Sequence, residues 1–236
     1  MVIRPECRQC FSDEDIDFLA SVLGIHHEPR SVYELLHDPE ALNIMLDEPV
    51  LFDIICNNPT ITNEISQHLL FFILVRHSLR ELEVEDRLLA DYGASLLVNL
   101  IQHPYLQRPS FILQPLNFIL QIIQELSTID DENQRFIHRM AIANLTLFLI
   151  GVYPERIRAR RAQDKTPHLS YLERLACHHL HYAIRSPVVV QFGLREMLSC
   201  CLRHFRRLRL AFNVIGDYEF FDRFTRHNHT TGWLSA

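Results

Sequence analysis

Glycine is scarce in this chain: six residues in 236, at positions 24, 93, 151, 193, 216 and 232, no two within ten of each other. Phosphate loops of the Walker and dinucleotide kinds need two or three glycines within about six residues, so that backbone N–H groups can approach the phosphate. Nucleotide binding by either route is excluded. The Gly-x-Ser-x-Gly elbow of serine hydrolases and the His-Glu-x-x-His helix of zinc proteases are missing as well. Lysine is nearly absent, Lys165 standing alone beside 22 arginines. Long apolar runs are also lacking: Leu69–Val75 and Leu147–Val152 fall well short of the roughly 18–20 residues that cross a bilayer, so no transmembrane helix is expected. The opening residues, Met1-Val-Ile-Arg-Pro-Glu-Cys and then Ser12-Asp-Glu-Asp, offer no apolar secretion signal, and a cytoplasmic location is expected. The six cysteines are read as reduced thiols, since a chain able to bury a full core needs no disulfide framework.

What is present is helical. Apolar residues make up 48% and charged residues 22% of the chain, as in ordinary globular proteins. Prolines 29, 39, 49 and 59 recur every ten residues, and Asp38-Pro39-Glu40 and Asp47-Glu48-Pro49 are helix starts, because proline at the first turn removes an N–H that has no intrahelical partner. Residues 31–58 therefore read as three short helices, the first with Ser31 and Glu34 as a capping box. Ile61, Ile65, His68, Phe72 and Val75 then share a stripe, and the all-round apolar run 69–75 marks a central buried helix. A helix over about Arg80 to Gln102 places Glu83, Arg87 and Asp91 on its outer face. Further helices are predicted at about Ser110–Ser127, Asp131–Ile150, Pro154–Gln163, His168–Arg185 and Val188–Phe212. The last has a core stripe of Leu194, Leu198, Cys201, Leu202, Phe205, Leu208 and Phe212. A short helix near Asp217–Arg226 precedes a tail. No alternation bounded by turn pairs suggests a strand, and no repeat suggests a solenoid. The expected fold is all-α: a single-domain antiparallel bundle, with a short-helix arm over 1–60, long helices over 61–226 and a loose tail over 227–236.

Three stretches, Ile65-Ser-Gln-His-Leu-Leu-Phe-Phe-Ile-Leu-Val-Arg76, Asp86-Arg-Leu-Leu-Ala-Asp-Tyr92 and Leu147-Phe-Leu-Ile-Gly-Val-Tyr-Pro-Glu-Arg156, resemble an uncharacterised family of bacterial all-helical proteins. The resemblance spans roughly residues 30–185. Where that family has Ser-Pro, this chain has Ser66-Gln67. The resemblance implies a bacterial helical fold and carries no activity, cofactor or site.

Several clusters are candidates for chemistry. Glu34-Leu-Leu-His37 is a single Glu-x-x-His, whereas a di-iron site needs two such pairs and two further glutamates. Cys177 and His181 fall on the polar face of their helix beside Arg174 and Arg185, and with Cys7 and Cys10 they would make a tetrahedral zinc set. His179 joins the core stripe of Leu172, Ala176 and Ala183; a buried, hydrogen-bonded histidine between two exposed ones is the plainer reading. His68, four residues after Glu64, is either a core polar group or a general base with a raised pKa.

Charge is uneven. Residues 1–151 carry 9 basic and 22 acidic side chains, and residues 152–236 carry 14 and 7. Arg156, Arg158, Arg160 and Arg161 crowd one helix, and Arg203, Arg206 and Arg207 flank the apolar stripe of another. These arginines pair with the acidic half, face solvent, or meet a partner or anion; a nucleic acid is disfavoured by the pI near 6.1 and by the lack of aromatics among them. The reading that follows is a non-catalytic helical module working through protein–protein contacts, as a homodimer or regulatory subunit. The alternatives are a metal- or small-ligand-binding protein using the Cys/His residues, and nucleic-acid binding through the C-terminal arginines.

Overall fold

A computed structural model describes residues 2–25, 38–58, 60–103, 115–161 and 167–218. The fold is all-α, with no strand among the described residues. They form two compact units, one of residues 5–98 and one of residues 99–236 together with the first four.

The unit of residues 5–98 contains a 3-10 turn (Cys7–Cys10), α1 (Asp13–Val22), α2 (Pro39–Leu46), α3 (Pro49–Asn57), α4 (Gln67–Glu81) and α5 (Arg87–Gln102) as far as Val98. Proline opens both α2 and α3, as the sequence predicts. Residues 31–37 and the Glu34–His37 pair lie outside the described residues. Ser12 and Asp15 form a capping box on α1. Asp15 is fully buried, and its carboxylate also accepts from the backbone N–H of Ser66, the N-cap of α4, at 2.7 Å. One carboxylate thus joins the starts of two helices. The expected apolar run fills α4, where residues 69–76 are all buried.

The sequence reading differs at the entry to α5. The helix begins at Arg87, after a turn in which Glu83 takes the left-handed conformation (φ 60°). Asp86 supplies the start signal, its carboxylate accepting from the N–H of Leu89 at 2.8 Å. The predicted outer face is absent on two counts: Glu83 is in the turn, and Asp91, inside the helix, is buried, accepting from the backbone N–H of Arg8 at 3.0 Å and from its Nε at 3.1 Å.

The second unit contains α6 (Pro115–Leu126), α7 (Glu132–Val152), α8 (Pro154–Arg161), α9 (Leu169–Arg185), α10 (Val188–Gln191), α11 (Arg195–Arg203) and α12 (Phe205–Gly216). It is built around α7, which packs against α6, α8, α9, α10 and α12. Among the described residues α7 is one helix long and apolar enough to span a membrane, and 78% of its most apolar stretch is buried by neighbouring helices. Asp131 caps its start.

The long helix expected over Val188–Phe212 is three helices. Gly193 adopts φ +64°, and the N–H groups of Gly193 and Leu194 close on the carbonyls of Val190 and Val189, which ends α10. His204 separates α11 from α12. The apolar spacing survives both breaks: Leu194, Leu198, Cys201, Phe205, Leu208 and Phe212 are buried, while Leu202 is half-buried. The predicted helix near 217–226 and the tail lie outside the described residues, save Asp217 and Tyr218 in the turn after α12.

Glycine sets how closely α12 crosses α7. A Cβ on Gly151 would stand 2.7 Å from Phe212 Cβ, and one on Gly216 would stand 2.7 Å from the carbonyl oxygen of Val152. Between these points the Asn213 side-chain amide donates to the carbonyls of Ile150, at 3.3 Å, and Gly151.

Candidate functional site: an arginine-lined pocket between α7 and α9

The first turns of α7 lie beside the last turns of α9, so the two helices run antiparallel here. Between them is a pocket of about 140 Å³ lined by Glu132, Arg135, Phe136, Arg139, Tyr182, Arg185 and Ser186. Arg135 and Arg139 are i,i+4 neighbours on α7 and share one face. Arg139 is held over the Tyr182 ring, 4.6 Å from its centroid, a cation–π contact that positions the guanidinium without neutralising it. Phe136 is buried and stacks on Phe192, with centroids 5.7 Å apart and rings 9° from parallel, giving the pocket an apolar wall. The Nε–H of Arg135 is buried with no hydrogen-bond partner among the described residues. None of the three arginines makes an ion pair with a carboxylate among those residues. A buried donor without an acceptor costs about 1–3 kcal/mol.

The sequence-derived candidates are placed elsewhere. Cys7 and Cys10 belong to the unit of residues 5–98, and Cys177 and His181 to the other. Cys7 is buried and its thiol donates to the carbonyl of His68 at 3.2 Å. Burial, then the Asp91 charge, pushes that thiol well above its ordinary value, which opposes the thiolate form that zinc needs. Cys10 is exposed. Cys177 is half-buried, its thiol pushed up to about 11 by burial and Glu173, and His181 is half-buried beside it. Among the described residues no three His, Cys, Asp or Glu side chains converge as a metal site requires.

Arg203, Arg206 and Arg207 are exposed on α11 and α12, with no carboxylate partner among the described residues; Arg207 Nη1 lies 3.5 Å from His204 Nδ1. Their neighbour Arg209 does pair, with Glu173 at 3.3 Å. Arg156 is exposed with its guanidinium 4.5 Å from the Tyr153 ring centroid, and Arg158 pairs with Glu155. Arg160 lies in α8, its side chain outside the described residues. His68 is half-buried, and burial lowers its pKa, outweighing the opposing charge of Asp15. The raised value a general base would need is not found, because the cost of burial exceeds the effect of the Asp15 charge.

His179 is buried in the core of α9 with Leu172, Ala176 and Ala183, as its spacing predicts. Its Nδ1, expected to be hydrogen-bonded, has no partner among the described residues. Burial first, then the charges of His178 and Arg139, push the imidazole down to about 4. The unfolded chain therefore takes up this proton first on acidification. The contribution of neutral His179 is whole above an ordinary histidine value of about 6.5 and is lost as pH falls toward 4, by about 2 kcal/mol. In urea titrations at about pH 7 and pH 4.5, the wild type should lose that much more stability than His179→Leu. Equal losses in the two proteins would refute the assignment.

No family model, curated protein or solved structure matches the chain. What the fold and pocket define is an all-helical protein with a cationic pocket between two antiparallel helices. Sequence reasoning passed over that pocket because Arg135 and Arg139 lie in the acidic stretch, far in sequence from Arg185. The available signal was their i,i+4 spacing on the first turns of a core helix.

Proposed function

We propose that this protein is a non-catalytic helical binding module of the cytoplasm, which docks an anionic group of a protein partner into the pocket between α7 and α9. One observation carries the reading: three arginines line a small pocket beside a single exposed carboxylate, and none of the three is ion-paired among the described residues. Arginines at the edge of a pocket are frequent anchors of interfaces. Tyr182, exposed over 43% of its surface at the rim, supplies the amphipathic contact area such interfaces favour.

The test is fluorescence anisotropy with a labelled acidic peptide at about 50 mM salt, where exposed charges are weakly screened. Arg135→Glu/Arg139→Glu should weaken binding by at least about tenfold with an unchanged circular dichroism spectrum. Binding equal to wild type would remove the pocket from the account. A second reading rests on the exposed Arg203, Arg206 and Arg207, which suit a phosphate backbone. It requires a nucleic-acid mobility shift at low salt that disappears when the three are changed to Glu.

A further inference from the structure

We infer that the group received by the pocket between α7 and α9 is a phosphate monoester dianion. This rests on the anion-docking reading and narrows it to one chemistry.

Charge is the first argument. Three guanidiniums and the Glu132 carboxylate leave two positive charges around the pocket. A phosphate monoester carries between one and a half and two negative charges at neutral pH, since its second pKa is about 6. A carboxylate would leave one guanidinium unmatched.

Donor number is the second. Arg135 and Arg139 from α7 and Arg185 from α9 bring three guanidinium groups to the lining. Ser186 Oγ accepts from the N–H of Val188 at 3.3 Å, which leaves its hydroxyl proton to donate. Three phosphate oxygens can use this many donors, whereas a carboxylate has two oxygens and one plane.

Size is the third. A pocket of about 140 Å³ is close to the roughly 150 Å³ cavity that encloses benzene, and is well below the 300–1,000 Å³ of sites that enclose drug-sized ligands. The space admits a phosphate and its ester carbon, with the rest of the partner outside it. The helix N-terminus is not the attraction, because Asp131 already accepts from the N–H of Gln134 there. The side chains make the site. The cation–π contact of Arg139 with Tyr182 and the stacking of Phe136 on Phe192 hold two of its walls before any ligand arrives.

The experiment is calorimetric titration of the full chain with three short peptides differing at one position, phosphoserine, glutamate or serine, and with inorganic phosphate. The phosphoserine peptide is expected to bind at least about tenfold more tightly than the glutamate peptide, and to weaken below about pH 6 as the phosphate loses its second charge. Arg135→Gln should lose at least about tenfold, and Arg185→Gln, at an exposed position, should do the same should the first variant disturb the fold. Inorganic phosphate binding as tightly as the phosphopeptide upholds the chemistry and identifies a free phosphate as the source. Equal affinity for the glutamate and phosphoserine peptides overturns the phosphate assignment while leaving anion docking intact. No binding by any of the four overturns both. An equal loss in Arg203→Gln, remote from the pocket in sequence and outside its lining, overturns the assignment to these residues.

Discussion

Asp47→Ala should destabilise the protein by about 3–5 kcal/mol in urea titrations at neutral pH, the range for breaking a buried ion pair from one side. Asp47 follows the last residue of α2, where a carboxylate opposes the helix dipole. Its position is explained by arginines. Arg76 donates from Nε to Oδ1 at 2.7 Å and from Nη2 to Oδ2 at 3.0 Å, and Arg87 donates from Nη2 to Oδ2 at 2.6 Å. Arg80 donates to the Asp47 backbone carbonyl at 2.7 Å. The Arg76 side chain is only 3% exposed, and its other carboxylate partner, Glu85, is 69% exposed. Without Asp47 a buried guanidinium keeps one solvated partner. Burial alone would raise the Asp47 pKa, but hydrogen bonds and charge from Arg76 and Arg87 prevail and hold it below the usual carboxylate range. Its contribution is therefore complete above the unfolded value near 4 and is lost as pH falls through the lower folded value. Asp47→Asn should retain part of the hydrogen bonding and show a smaller loss. A loss under about 1 kcal/mol for Asp47→Ala would mean that the arginines are solvated without it, as in surface pairs.

Gly151→Ala should cost about 2–3 kcal/mol, although alanine in a helix interior normally gains close to 1 kcal/mol over glycine. The sign reverses because the new Cβ would meet Phe212 Cβ at 2.7 Å. That atom is fixed by the backbone of α12, so no Phe212 rotamer relieves the contact. The two helices must separate, and Gly216 on Val152 and the Asn213 hydrogen bonds resist separation. Gly151→Val should cost more. Thermal denaturation of the two variants beside wild type checks both order and size. A stabilised Gly151→Ala would show that the crossing relaxes freely.

Much of the architecture was legible in the chain because it depends on local periodicity and turn chemistry. The proline starts of α2 and α3, the all-round apolar run of α4 and the stripe through Leu194, Leu198, Phe205 and Phe212 are properties of neighbouring residues. Where the reading missed, the cause was also local but finer. Gly193 and His204 interrupt a helix whose apolar spacing continues unbroken, since spacing reports which side faces the core and not whether the backbone stays helical. Asp86 was available as a cap, but the charged run around it read as a solvated helix face.

The site was less legible. The Cys177–His181 cluster and the arginines of α8, α11 and α12 are dense in sequence, and local density is the property a sequence displays. Arg135, Arg139 and Arg185 are dispersed and become a cluster only when α7 and α9 lie antiparallel. Asp47 and Arg76 likewise meet only in the tertiary structure. Sequence by itself determined the helical class, the punctuation of the arm and the absence of phosphate loops, because backbone propensity and hydrogen bonding over a few residues decide these. Tertiary structure alone decided which charges are paired among the described residues and which line the pocket, because a charge's partner is set by distance through space, and in a helical protein that distance bears little relation to separation along the chain.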